Sequence, residues 1–115
     1  AHYNFGNLLF KQKKTTVAIQ HYAEAIRLNP AYFEAYTNMG VSQATLDLMD
    51  DAIVSYRTAL RLNPLYEKAH NNLGIALFKQ GKIEEALSHF KRALSINPNY
   101  ASARYNLQLA LSKMR

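Results

Sequence analysis

The chain has 115 residues, enough for one domain or one short solenoid; 49% hydrophobic and 19% charged residues describe a folded protein, not a disordered one. It has no cysteine, which excludes disulfides, thiolate metal sites and a cysteine nucleophile and leaves the cytoplasm as the default compartment. The formal net charge of +6 would suit an acidic partner, but the charges are dispersed: Lys11, Lys13 and Lys14 are the densest cluster, while Lys91-Arg92 and Arg57/Arg61 read as parts of a solvated face.

No apolar run approaches the roughly 20 residues that a membrane-spanning helix needs, so no membrane insertion is expected. Ala1-His2-Tyr3-Asn4 runs straight into patterned sequence, with no leader peptide legible and no initiating methionine, which reads as a segment of a longer protein.

A 34-residue interval organises the chain. Pro30, Pro64 and Pro98 close the tripeptides Leu28-Asn29-Pro30, Leu62-Asn63-Pro64 and Ile96-Asn97-Pro98. Gly6, Gly40 and Gly74 keep the interval, as do Ala18, Ala52 and Ala86; Ala25, Ala59 and Ala93; Tyr22, Tyr56 and Phe90; and Tyr32, Tyr66 and Tyr100. The repeats span 1–32, 33–66 and 67–100, each holding two amphipathic helices.

In the first repeat, Tyr3, Asn4, Asn7 and Lys11 form one stripe of the first helix. In the second, a helix over about 33–46 puts Tyr36, Met39, Gly40 and Gln43 on one side, and a helix over about 50–62 does so with Ala52, Tyr56, Ala59 and Leu60. Each proline stops the second helix of its pair, because the residue before proline is biased out of the α region. In the third repeat Gly81 marks the turn between helices. Lys13 and Asp47 take its place in the other repeats, where a left-handed turn would carry strain. Residues 101–115 form a fourth first-type helix without a mate, a polar cap with Gln108 at the glycine position. The N-terminal end lacks such a cap, so further repeats or self-association are expected there. Gly40 beside Tyr56, with Ala52 and Ala59 opposite, lets the antiparallel helices approach closely.

Asn38-x-Gly40 … Ala52 … Tyr56 … Ala59 … Pro64 at this period resembles the tetratricopeptide repeat (TPR) family over nearly the whole chain. The family's tryptophan near each repeat start is replaced by His2, Tyr36, His70 and Arg104. The resemblance implies an all-α fold, an α-solenoid of antiparallel helix pairs in a right-handed superhelix, with first helices lining the concave side. It also places in the groove the stripes Glu34, Thr37, Asn38, Val41 and Thr45; Lys68, Asn71, Asn72, Ile75 and Lys79; and Ser102, Tyr105, Asn106 and Leu109.

Asn4, Asn38, Asn72 and Asn106 form a ladder in that stripe. An amide offers both donors and an acceptor, and so can pair with the backbone of an extended peptide whatever its side chains. Similar ladders line the repeats of O-GlcNAc transferase and the peroxisomal import receptor; asparagine there is also common in generic repeats. Val41, Ile75 and Leu109 add an apolar strip that suggests a partner. The family's carboxylate clamp for chaperone tails is only partly matched: Asn7, Asn38 and Lys68 fit, but Tyr3 and Asn72 replace a lysine and an arginine, depleting the charge-assisted grip.

Other chemistries find less support. His2 and His70, and His21 and His89, are two periods apart, and stacked helices add roughly 8–10 Å per layer. Zinc ligands sit about 2 Å from the metal, so no pair is expected to share an ion; packed or solvated histidine, with no metal or cofactor, is the reading. Asp50-Asp51 and Glu84-Glu85 suit helix N-termini rather than acid/base work. Nucleic acid, through Tyr3, Phe10, Phe78 and Tyr105 with Lys11, Lys68 and Lys79, is disfavoured because Glu34 interrupts the stripe. The expected function is therefore non-enzymatic: capture of an extended peptide or protein segment of a partner by Asn38 and Asn72, extended by Asn4 and Asn106, with Lys11, Lys68 and Lys79 favouring an acidic or C-terminal ligand. Asn38→Ala with Asn72→Ala is expected to abolish binding without changing the melting temperature. The rival role is a scaffold stacking through its repeat ends.

Overall fold

A computed structural model describes residues 1–114 as seven helices: α1 (His2–Lys11), α2 (Thr15–Leu28), α3 (Phe33–Thr45), α4 (Met49–Leu62), α5 (Glu67–Lys79), α6 (Ile83–Ile96) and α7 (Ala101–Lys113). There is no strand among the described residues. The helices expected over 33–46 and 50–62 are found within one residue of those bounds. The unpaired last helix is α7; Arg115, included in the expected cap, lies outside the described residues.

No helix start has a side-chain cap. The proline turns are held by another device, which explains the asparagine in each tripeptide. The Oδ1 atoms of Asn29, Asn63 and Asn97 accept the N–H groups of Ala31, Leu65 and Asn99 at 3.3, 3.2 and 3.3 Å. These are side-chain mimics of a backbone turn, and they redirect the chain after the proline. Acidic residues then sit in the first turns of α3, α4, α5 and α6, where the helix dipole favours them.

Each helix packs on the next, and odd helices also touch: α1 meets α3, α3 meets α5 and α5 meets α7. Among the described residues the even helices do not pack on one another; α4 and α6 are linked by the exposed side-chain pair Arg57–Glu85. The odd helices are thus closer together than the even ones, and the array curves with the odd helices on its inner side.

Pair closure depends on the repeating glycine. A Cβ added to Gly40 would lie 2.5 Å from Tyr56 Cε1, one added to Gly74 2.5 Å from Phe90 Cε1, and one added to Gly6 2.8 Å from Tyr22 Cε1. Each ring is buried, and Ala18, Ala52 and Ala86 beside them are fully covered. The inner turns also follow the expectation. Lys13, Asp47 and Gly81 have φ of 64°, 63° and 82°. The following N–H of Lys14, Leu48 and Lys82 reaches back to Leu9, Gln43 and Leu77 carbonyls at 2.8–2.9 Å, closing the helix end.

The histidines depart from expectation. The close pairs lie 19 residues apart, across the two helices of one repeat: His2 Nδ1 to His21 Nδ1 at 3.0 Å, and His70 Nδ1 to His89 Nδ1 at 3.1 Å. A helix layer separates equal positions two repeats apart, but it does not separate these neighbours within one repeat, which the spacing alone did not bring out. Among the described residues no group of three His, Asp or Glu side chains is placed to hold a metal. His70 Nε2 donates to the Pro64 carbonyl at 2.8 Å, which leaves its Nδ1 to accept from His89. Arg104 makes the equivalent bond to the Pro98 carbonyl at 2.6 Å. These polar residues thus anchor the proline turn from the position that the family fills with tryptophan.

Two predictions follow from this packing. Gly40→Leu should lower stability by about 1–3 kcal/mol through overpacking against Tyr56, read as an earlier thermal transition; a transition unchanged from the parent would refute the close contact. Lys13→Gly should raise stability by up to about 1 kcal/mol by relieving the left-handed strain. Chemical denaturation of parent and variant checks the sign, which Gly81→Ala should reverse.

Candidate functional site

The inner face of α1, α3 and α5 carries two apolar hollows one repeat apart. The first, of about 270 Å³, lies between α1 and α3 and is lined by Asn7, Phe10, Lys11, Tyr22, Asn38 and Val41. The second, of about 210 Å³, lies between α3 and α5; Val41, Thr45, Asn72, Ile75 and Lys79 face it, with Ala44, Met49, Tyr56 and Ala76 as its floor. Each hollow therefore repeats a ladder asparagine and a β-branched apolar residue, Asn38 with Val41 and Asn72 with Ile75. Each also holds a lysine, but from the earlier helix in the first hollow, Lys11 on α1, and from the later helix in the second, Lys79 on α5.

A hydrogen-bond network stiffens the first hollow. The Tyr22 hydroxyl donates to Asn7 Oδ1 at 2.6 Å; burial, then the neighbouring Tyr3, pushes this phenol up to about 12, so it stays a neutral donor. Asn38 Nδ2 donates to the same Asn7 oxygen at 2.9 Å and to the Tyr3 hydroxyl at 3.0 Å. Both donors of Asn38 are thus used within the protein, and its Oδ1 is left to accept; Asn7 in turn keeps its Nδ2 as a donor. Asn106 Nδ2 donates to Asn71 Oδ1 at 3.0 Å. Asn72 makes no side-chain hydrogen bond among the described residues. Its counterpart partner, Thr37, donates instead to the Phe33 carbonyl at 3.0 Å on its own helix.

The expected site residues therefore divide. Asn7, Lys11, Asn38 and Val41 come together at the first hollow, and Val41, Asn72, Ile75 and Lys79 at the second. Lys68 is exposed on α5 but lines neither hollow, and Asn4 is exposed on α1 outside both. Asn106 is half-buried against Asn71. Thr37 and Asn71 must be removed from the ligand-contacting set: they are 1% and 2% exposed. A helical wheel places them beside Asn38 and Asn72, but the next repeat covers that flank, and Asn71 spends its amide on Ser102 Oγ at 3.2 Å and on Asn106. Sequence reasoning missed Met49 and treated Tyr22 and Tyr56 only as packing rings. The periodic aromatic column was the available signal, since a ring that closes a helix pair also reaches the groove floor.

Lys11, Lys68 and Lys79 are exposed, and among the described residues the ion pairs are Arg27–Glu24 and Arg57–Glu85. None of these three lysines is in an ion pair among the described residues.

Comparison with known families agrees with this geometry. The description "TPR repeat" matches residues 1–47 and 49–81, and "Tetratricopeptide repeat" matches 33–64 and 67–100. The chain belongs to the tetratricopeptide repeat family. Among curated relatives, Hsp70-Hsp90 organizing protein 1 of Glycine max is 42% identical over 48 residues, which is 42% of this chain and 8% of the relative. UDP-N-acetylglucosamine--peptide N-acetylglucosaminyltransferase of Giardia intestinalis is 38% identical over 50 residues, 44% of this chain and 3% of the relative. The chain thus spans a small fraction of either protein. Two solved TPR domains superpose closely. The first TPR of Spaghetti (RPAP3), bound to the HSP90 peptide SRMEEVD, has a TM-score of 0.95 at 29% identity, covering 98% of this chain and 90% of that one. The Arabidopsis OM64 TPR domain has a TM-score of 0.94 at 25% identity, covering 97% and 93%.

The network separates two asparagines that look alike in sequence. Asn38→Ala should cost about 1–2 kcal/mol, because two hydrogen bonds between repeats are lost, whereas Asn72→Ala should stay within about 0.5 kcal/mol of the parent. This replaces the expectation that both changes leave stability untouched. Equal melting temperatures for the two variants would contradict it.

Proposed function

We propose that this TPR array is a protein-interaction module, without catalytic activity of its own, that holds an extended acidic peptide along its concave face. The observation that carries this reading is the repetition at one-repeat spacing of a hollow with its amide and β-branched residue, Asn38 with Val41 and Asn72 with Ile75, each hollow also holding one unpaired lysine. An extended chain advances roughly 3.3 Å per residue, so side chains about two to three residues apart can reach hollows that lie roughly 8–10 Å from one another while the backbone meets the amides. Asn72, the Oδ1 of Asn38 and the Nδ2 of Asn7 supply the hydrogen bonds. Lys11 and Lys79 sit at the rims to meet carboxylates, with Lys68 adding charge along α5. The similarity to a TPR domain bound to SRMEEVD, a peptide rich in acidic residues, supports the acidic ligand. The partial carboxylate clamp made by Asn7, Asn38 and Lys68 is compatible with capture of its C-terminal carboxylate.

A scaffold role rests on a separate observation, the exposed apolar residues at the two ends: Phe5 and Leu8 on α1, and Tyr105 and Leu111 on α7.

The decisive measurement is fluorescence anisotropy with SRMEEVD and with the same peptide amidated at its C-terminus. Binding should weaken roughly 3–10-fold in Lys79→Ala or Lys11→Ala, the effect of removing one solvent-screened charge, and at least as much in Asn72→Ala, which should remain folded. Loss of affinity on amidation would place the terminal carboxylate in the site. Retention of full affinity in a folded Asn72→Ala/Lys79→Ala variant would refute the groove reading. Concentration-dependent sedimentation without peptide binding would favour the scaffold.

A further inference from the structure

The outer face carries a second hollow of a different character. It has a volume of about 290 Å³ and is built by three helices. Arg57 and Arg61 come from successive turns of α4, His70 from α5, and His89 and Arg92 from α6. Leu60, Pro64 and Leu73 give it an apolar floor.

The repeat supplies an internal control. Shifting each position back by 34 residues gives the equivalent place between α2, α3 and α4. There Arg57, His70, His89 and Arg92 are replaced by Ala23, Tyr36, Ser55 and Thr58. Only Arg61 has a cationic counterpart, Arg27, and Arg27 is tied to Glu24 on its own helix. The apolar floor is kept in kind, as Ile26, Pro30 and Met39. Packing one repeat on the next therefore requires the floor and not the cations, since the first interface folds without them.

The charges are also poorly balanced. Among the described residues the carboxylate partner at this place is Glu85, 3.5 Å from Arg57, with both side chains about half exposed. Arg61 has only a long 3.4 Å contact to the Thr58 hydroxyl. The positive field adds to burial at the imidazoles: burial first, with Arg92 on His70 and both His70 and Arg57 on His89, outweighs the Pro64 hydrogen bond and Glu85 and holds the two rings below the ordinary histidine range. Such a field opposes a metal dication at the histidine pair and attracts an anion. His70, pinned by the Pro64 carbonyl, holds His89 in turn, so the two rings form a fixed wall beside the longer arginines.

We propose that this hollow binds the phosphate group of an organic phosphate monoester. Three guanidiniums exceed what a single carboxylate can use. A phosphate monoester is close to a dianion at neutral pH with three strong acceptor oxygens, and planar guanidinium forks match it. The apolar floor takes the organic part of the ligand, which distinguishes this site from a purely ionic patch.

Calorimetric titration of the full chain with phenyl phosphate tests this, with inorganic phosphate (no apolar part) and benzoate (one charge) alongside. Phenyl phosphate should bind several-fold more tightly than either. Arg61→Gln and Arg92→Gln should each weaken it about tenfold, the scale of one charge-assisted hydrogen bond, while Arg61→Lys, which keeps the charge but loses the fork, falls between. Arg27→Gln, at the equivalent place one repeat earlier, should change nothing. Thermal melts of the glutamine variants, whose parent side chains are exposed, verify folding. A phosphotyrosine peptide and a nucleoside monophosphate titrated in parallel separate a protein-borne from a free ligand: the source is whichever binds more tightly with the same arginine dependence. No binding of phenyl phosphate at 10 mM, equal binding of benzoate, or the same loss in Arg27→Gln would overturn the proposal.

Discussion

Where α3 crosses α4, the space that a side chain would occupy at Gly40 is filled by the ring of Tyr56. The same arrangement recurs at Gly6 with Tyr22 and at Gly74 with Phe90. The ring buries its apolar faces between the helices, and the missing Cβ sets how close their axes come. Much else depends on that distance. It allows the fully covered alanines to sit where larger residues would clash, and it directs the ring edge toward the inner face, where Tyr22 and Tyr56 become floor to the two hollows. A change at the glycine column would therefore disturb the groove as well as the core.

The curvature follows from contacts between repeats. Odd helices pack on one another, while α4 and α6 meet through the exposed Arg57–Glu85 pair alone among the described residues, so the inner surface is continuous while the outer one opens into a cleft between α4 and α6. Polar groups brace the inner seam: Asn38 ties α3 to α1, and Asn71 ties α5 to α7. The asparagine column thus serves two ends. Some of its amides hold the curve, and Asn72 has no side-chain hydrogen bond among the described residues and, in the proposed function, is the amide free for a ligand.

The two surfaces of the array differ in how they use charge. Inside, lysines stand at intervals beside apolar hollows, an arrangement suited to a long ligand. Outside, arginines and histidines converge on one interface, and at its repeat-related counterpart Arg27 is the one cation that remains among these positions. A repeat protein conserves the geometry of its interfaces because each must pack on the next, which leaves the solvent-facing positions of any one interface available for a local function.

Fold class, helix bounds and the strained turns at Lys13 and Asp47 were legible in the chain itself, because each is dictated by local physics: periodic burial, the φ restriction around proline, the missing Cβ of glycine. The groove was legible as a stripe, since helical periodicity puts Asn38, Val41, Asn72, Ile75 and Lys79 along one side. Tertiary structure alone decided which members of that stripe are free. Thr37 and Asn71 are covered by the following repeat, and Asn38 is bonded to the preceding one, neither of which a single helix can show. The histidine pairs and the arginine hollow were hidden for the same reason: their members lie on different helices, at separations set by packing rather than by the repeat length. The one-dimensional period determines what each helix presents; only the angle and distance between helices determine what meets what.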